Sequence, residues 1–458
     1  MPLLEPSRLA AAGLVLLLYA ALCLATGLRE RRRRQRAAHA AAVLAPGAGS
    51  GRPVLVSYAS QTGFAEQLAR AAAEALQAAG TPTRLLPLGQ LTQEMLADSE
   101  EALFLVSTCG EGDPPDNGAL FARRIMAGDL PLAHLHYGLL ALGDSEYARF
   151  CGFGRALNGW LRHNGAHAIF PAIEVDNGNA AALQRWQHEL GHIAGTGDLP
   201  DWRGPAYEHW RLSARRLANP GSAGAPAFHV ELVPADGAPL PAWEAGDLVQ
   251  VLAPADPERP REYSIASLPQ EGRLLLLVRQ QRDADGALGA ASGWLTEGAG
   301  IGAAISLRLR PHENFRLGAN AGRPLILVGN GTGIAGLRAH LRQRERAGAS
   351  RNWLIFGERN AAADFHYREE VLDWQQRGLL ARLDLAFSRD GAEPVYVQHR
   401  LADATAELRQ WLEEGAAIYV CGNAVGMAPA VDAVISSEIG EEARDELIAQ
   451  GRYRRDVY

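Results

Sequence analysis

Two parts of this chain alternate strand-like and helix-like patterns. Between them lies a stretch of short strands punctuated by Pro and Gly, and few architectures accommodate both textures. The first alternation opens on the apolar run "PVLVSYA" (53–59) and passes into a helical pattern from Ala65 to Ala79. Strand-like runs follow at "TRLLPL", "ALFLVST", "GLLALGD" and "AIFPAIEV", with helical stretches between most of them. Strands that alternate with helices build a parallel sheet covered on both faces. A doubly wound α/β domain is therefore expected over 53–195, with ligands at the carboxyl ends of its strands. A Gly/Pro-rich linker at 196–206 follows. Over 207–318 the runs "FHVELV", "DLVQVLA", "EYSIAS", "RLLLLVR" and "AISLRLR" predict an antiparallel barrel or sandwich. From 319 to 458 the alternation returns in "PLILVGNGTGIAGLRAHLRQR", "NWLIFGER", "ARLDLAFSRD" and "AIYVCGNAVGMAPAVDAVI", which predicts a second parallel α/β domain.

The N-terminal residues follow another rule. Leu9–Gly27 contains no charge, and six arginines follow between Arg29 and Arg36. Nineteen helical residues span roughly 28 Å, close to the roughly 30 Å of a bilayer's hydrocarbon core. Residues 1–36 are thus expected to form a single transmembrane anchor with a basic flank, joined by a 37–52 linker to domains on the cytoplasmic side. A buried helix of a soluble domain would need a similar apolar run but not the arginine block. All 45 basic residues are arginine, so any anion site must use Arg or backbone N–H. The net charge of −7 argues against a nucleic-acid partner. None of the four cysteines stands in a C-x-x-C pair, so no metal site or disulfide framework is expected.

Three loops follow strand ends in the first α/β stretch. Ser60, Gln61, Thr62, Gly63, Phe64 and Ala65 lead into a helix, where N–H groups and hydroxyls can hold a phosphate; an ordinary capped helix looks the same. "STCGEGDPPDNG" (107–118) offers Ser107, Thr108, Cys109 and Gly110. It carries Glu111, Asp113 and Asp116 but no cation, so it suits a flat neutral ring and a negative docking face rather than an anion. "LGDSEYARFCGFG" (142–154) brings Leu142, Gly143, Asp144, Tyr147, Phe150 and Cys151, with Tyr147 available to stack on that ring. A surface turn and a core aromatic are the plainer explanations of these two loops. In the middle stretch "REYSIAS" (261–267) puts Arg261 and Tyr263 on one face of a strand. "VGNGTGIAGLR" (328–338) is a strand, a glycine loop and a helix, a weak motif alone.

Together these segments resemble the diflavin reductases, a family that includes NADPH–haemoprotein reductases and sulfite reductase flavoproteins. The likeness runs from about residue 53 to the last, and "NWLIFGER", "RLDLAFSRD" and "RYRRDVY" are nearest the sulfite reductase type. It implies a flavodoxin-like FMN-binding domain at 53–195, a FAD-binding barrel at 207–318 and a ferredoxin-NADP reductase-like NADP-binding domain at 319–458. It implies that Arg261, beside Glu262, pairs with the FAD pyrophosphate, that Tyr263 stacks on the ring, and that Ser264 bonds near its N5. Gly289, Ala290, Ala291 and Ser292, in "GALGAASGWL", resemble the family's pyrophosphate turn. Thr332 would contact the NADPH pyrophosphate, and Ser388 and Arg389 the 2′-phosphate, with Tyr396 and Gln398 alongside. Ser264, Cys421 and Asp456 would assist hydride transfer, and Tyr458 would cover the FAD ring. A lone buried cysteine such as Cys421 is equally an ordinary core residue.

The function so implied is electron transfer from NADPH through FAD and FMN to a protein acceptor, a haem or siroheme protein. A sulfite reductase component, a membrane ferric-siderophore reductase and a non-enzymatic flavin redox sensor are the alternatives. Four departures stand out. Cys109 replaces an aromatic of the haemoprotein reductases, Pro394 replaces a frequent lysine, and Ala430 replaces an acid. Only about 50 residues separate Trp210 from Arg261, which leaves no room for the helical connecting domain of longer members.

Overall fold

The structure, a computed structural model, describes residues 52–145, 147–195, 206–283 and 285–458. The expected anchor at 1–36, the linker up to residue 51 and nearly all of the 196–206 linker lie outside them. Among the described residues no helix is long and apolar enough to cross a membrane.

The first sheet is parallel. It contains β1 (Val54–Ala59), β2 (Thr83–Pro87), β3 (Glu101–Ser107), β4 (His136–Gly143) and the short β5 (His167–Ala168), in the order β2-β1-β3-β4-β5. A further strand, β6 (Ile173–Asp176), also pairs with β4. Every residue of β1 is buried, as a strand with helices on both faces requires. Those helices are α1 (Phe64–Ala78), α2 (Asp116–Arg124), α3 (Gly152–His163) and α4 (Ala180–Ala194). In α1 the buried Ala65, Leu68, Ala69, Ala72, Ala73 and Leu76 recur three and four apart, which builds one apolar face. "AIFPAIEV" is not one strand. Pro171 has no N–H to give a ladder, so the run divides into β5 and β6 around it. The strand order reverses between β1 and β3, and loops 60–63 and 108–115 leave the sheet on either side of that point.

The second sheet is antiparallel. β7 (Glu208–Leu217), β8 (Ala227–Pro234), β9 (Leu248–Ala253), β10 (Asp256–Ser264), β11 (Leu274–Arg279) and β12 (Ala304–Arg310) take the order β10-β9-β12-β7-β8-β11. "AISLRLR" coincides with β12. β7 is absent from the expected runs because only Trp210 and Leu212 of it are buried, and a bulge between Leu212 and Ala214 breaks its alternation. Asp247, 2% exposed, fixes the loop after β12 by accepting from His312 N–H (2.9 Å) and Arg316 Nε (2.6 Å).

The third sheet is parallel again. β13 (Leu325–Asn330), β14 (Asn352–Glu358), β15 (Leu380–Phe387), β16 (Ala417–Gly422) and β17 (Tyr453–Val457) stand in the order β15-β14-β13-β16-β17. Its direction of winding reverses between β13 and β16, where a nucleotide crevice belongs. Helices α5 (Ile334–Arg346) and α6 (Glu441–Ala449) flank it. Buried Arg338 of α5 donates to Ala266 O (2.6 Å) and pairs with Glu271 (2.9 Å) and Glu370 (2.6 Å), which clamps the middle domain to this one.

Candidate active site

Three strands distant in sequence bring Ser264, Cys421 and Asp456 together, at the ends of β10, β16 and β17. Ser264 Oγ donates to Asp456 Oδ2 at 2.7 Å, and Cys421 Sγ approaches the same oxygen at 3.6 Å. Asp456 is 5% exposed and Cys421 is fully buried. Burial, and then the neighbouring Asp456, push the Cys421 thiol well above its usual pKa, so it stays a neutral donor. The glycine loop is built around this cluster. A Cβ on Gly333 would lie 2.1 Å from Cys421 O, and one on Gly336 would lie 3.4 Å from Cys421 Sγ and 3.6 Å from Ser264 Cβ. At Gly333 only glycine lets the loop before α5 approach β16 that closely.

Tyr458 is tied down rather than frayed. Its N–H donates to Gly422 O and its carbonyl accepts from Ala424 N–H, both at 3.0 Å. Its hydroxyl lies 3.2 Å from Thr332 Oγ1, while 49% of the residue stays exposed. The last side chain therefore rests on the glycine loop beside the Ser264–Asp456–Cys421 cluster. Ser388 and exposed Arg389 follow β15, where their N–H groups donate to Glu358 O and Arg359 O, both at 2.9 Å. Tyr396 is exposed and its ring meets His399 edge-on, and Gln398 is the second residue of the next helix, Val397–Asp403. Arg359, at the end of β14, is an additional cation beside Arg389; the residues "GER" at that strand end were the signal for it.

The first three loops converge too. α1 begins at Gly63 (φ 86°), which has no side chain to cap it; Ser60 Oγ accepts from Ala65 N–H (3.2 Å), and a ligand phosphate suits the remaining N–H groups of the first turn. The glycines of the second loop have another cause. Cys109 and Asp113 exchange N–H···O bonds of 2.8 and 2.9 Å around a tight turn, with Gly110 at φ 48° and Gly112 at φ 108°. A Cβ on Gly112 would stand 2.9 Å from Arg149 Cδ of the third loop. The turn thus packs against a neighbour and does not cradle an anion. Burial, and then Asp116, push the Cys109 thiol up to about 11. Cys151 takes a left-handed conformation at the start of α3, and its thiol donates to Ala141 O (3.4 Å), inside the fold.

Thr62, Ser107, Thr108, Gly110, Tyr147 and Phe150, with Leu142, Gly143 and Asp144 behind them, line a cleft of about 970 Å³. Its opposite wall is the middle domain, through Tyr207, Gln250, Glu262, Arg308 and Arg310. A helix start, aromatic faces and arginine cations suit phosphate-bearing flavins in a chain without lysine. The short helix Ala290–Gly293 also starts without a side-chain cap; Gly289 N–H donates to Gln281 O (3.0 Å) and Ser292 Oγ accepts from Gln281 N–H (3.1 Å). On β10, Arg261 lies 3.8 Å from Asp256, and burial raises the Tyr263 hydroxyl pKa.

Contacts between the domains have no sequence signature. Gln61 Nε2 donates to Arg455 O (2.8 Å) and Asp116 Oδ2 (3.1 Å), and its Oε1 accepts from Asp116 N–H (3.0 Å). Arg455 Nε donates to Asp116 Oδ1 at 2.9 Å. Asn314 Nδ2 donates to Ser60 O (2.9 Å), His312 Nε2 bonds Gln61 O (3.1 Å), and Arg123 pairs with Glu441 and Asp445. Of the three acids in the second loop, Glu111 and Asp113 are exposed, but Asp116 turns inward and belongs to the domain contact rather than to an outer docking face.

A parallel domain with strand-end loops, an antiparallel sheet and a glycine-loop α/β domain meeting at one buried cluster define a two-cofactor oxidoreductase architecture. The flavodoxin family profile matches residues 56–188, and the oxidoreductase NAD-binding domain profile matches 327–433. The sulfite reductase (NADPH) flavoprotein alpha-component of Vibrio cholerae serotype O1 is 29% identical, over 92% of this chain and 90% of that protein. Those of Shewanella sp. (strain MR-7) and Neisseria meningitidis serogroup C are each 28% identical, over 88% of this chain and 89% of theirs. The chain is a homologue of these flavoproteins, within the diflavin reductases.

Proposed function

We propose that this protein is a membrane-anchored, NADPH-dependent diflavin reductase that passes electrons from NADPH through FAD and FMN to a haem or siroheme protein. The observation that carries the proposal is the Ser264–Asp456–Cys421 cluster at the crevice where β13 and β16 diverge, within one chain that also holds the flavodoxin loops. Flavins accept electrons in pairs and release them singly, which is the chemistry such a chain would organise. Ser264 and Cys421 would orient the flavin edge and nicotinamide, and Asp456 would hold both donors in place. Arg261 and the Gly289–Ser292 turn would hold the FAD pyrophosphate, and Tyr263 and Tyr458 would flank its ring. The names of the relatives favour a sulfite reductase partner as a second reading. The uncharged run Leu9–Gly27 and the arginines after it support the anchor.

The full chain should sediment with membranes and carry one FMN and one FAD, both reduced by NADPH without oxygen. A single flavin after reconstitution with both would sink the assignment. Acceptor screening with haem and siroheme proteins then separates the two partners. Arg389→Ala should weaken NADPH about 10- to 100-fold and NADH little, because a charge-assisted pair is worth about 1.5–3 kcal/mol. Equal losses for both nucleotides would place Arg389 away from the 2′-phosphate.

A further inference from the structure

We propose that Arg310, the last residue of β12, binds the phosphate of FMN, so that the FMN site is completed by a residue from outside the flavodoxin domain. The inference rests on the FMN assignment made above. Arg310 Nη2 donates to Thr62 Oγ1 at 2.6 Å and to Thr62 O at 3.1 Å. Thr62 precedes Gly63, the N-cap of α1, which has no side chain to cap the helix; of the first-turn N–H groups Ser60 Oγ takes that of Ala65. The guanidinium therefore stands at the helix start that suits a phosphate, and it also lies 5.3 Å from the centre of the Phe64 ring.

Arg310 is 7% exposed and lines the cleft, yet its Nε is buried without a hydrogen-bond partner among the described residues. A buried guanidinium with an idle N–H is costly, and a phosphate oxygen satisfies it through the fork geometry that arginine offers. Among the described residues its one ion-pair partner is Glu262, whose carboxylate also accepts from Gln250 Nε2 (2.8 Å). Burial lowers the Arg310 pKa to about 10, so the group remains charged at neutral pH while lacking much of its hydration. The neighbouring Arg308 is engaged elsewhere, with Nε on Gln250 Oε1 (2.6 Å) and its guanidinium over the Tyr207 ring. Because Arg310 joins Thr62 across the domain boundary, phosphate binding and domain closure reinforce each other.

The test compares FMN with riboflavin, which lacks the phosphate, by fluorescence titration of the flavin-stripped full chain. Arg310→Gln should weaken FMN about 10- to 100-fold and leave riboflavin unchanged. Arg310→Lys keeps the charge without the fork and should recover part of the loss. An equal loss for both flavins would make Arg310 a docking residue only, and no loss for FMN would remove it from the site; either result overturns the proposal. If Arg310→Gln fails to fold, Glu262→Gln frees the guanidinium and should tighten FMN relative to riboflavin several-fold. An unchanged ratio in that variant would also overturn it. A wild-type chain that binds neither flavin would overturn the FMN assignment itself, and this inference with it.

Discussion

Asp456→Ala is expected to slow flavin reduction by NADPH about 100-fold at saturating nucleotide, because removing one preorganised polar group at a reacting centre typically costs 10²–10³ in rate. Asp456 accepts from Ser264 and faces the buried Cys421, so its loss frees two side chains that the site must hold still. Both donors then lack their acceptor, and leaving buried donors unmade costs about 1–3 kcal/mol of stability. Asp456→Asn keeps an oxygen for Ser264 but removes the charge, and it should fall between the two. Stopped-flow absorbance separates rate from affinity. A raised Kd for NADPH with an unchanged limiting rate would assign Asp456 to binding alone.

Arg455→Gln is expected to loosen the seat of the flavodoxin domain on the other two. Arg455 and Asp116 are 21% and 14% exposed, so the pair is mostly buried, and removing one partner of such a pair costs about 3–5 kcal/mol, here nearer the lower figure. Gln61 remains on Arg455 O, and Asn314, His312 and Arg310 remain on residues 60–62, so the contact weakens without being abolished. The radius of gyration from X-ray scattering should rise. Reduction of the first flavin should proceed while arrival of electrons at the second slows. Asp116→Asn should act in the same direction, and the double variant should lose less than the sum of the two. A radius and an inter-flavin rate unchanged in both single variants would show that docking is held elsewhere.

What could be read in the sequence tracks how local its cause is. β1 shows as "VLVSYA" because a strand covered on both faces is apolar at nearly every position, Ser57 excepted, and β12 shows as "AISLRLR" because one face alternates. β7 hides behind a bulge, and β17 behind arginines whose partners are remote. The loops at 60–65, 107–110 and 142–151 are legible as punctuation at strand ends. The roles of Gln61, Asp116, Arg310 and Arg455 are not, since each is set by a domain more than 240 positions away, and no periodicity encodes such a meeting. The arginines that hold the domains together look like any other charged surface residues until the fold buries them.

β17 also constrains how this chain can change length. Successive side chains on a strand face opposite ways. Tyr453, Arg455 and Val457 lie toward one face, with Arg455 reaching Asp116, while Arg454 and Asp456 lie toward the other, with Asp456 reaching Ser264. The alignment with the Vibrio cholerae protein runs over 551 positions against 458 residues here, so the two chains differ by insertions or deletions. β17 cannot accept one. A single residue added or lost within it would turn the carboxylate toward the flavodoxin domain and the guanidinium toward the nucleotide crevice, abolishing both contacts in one step.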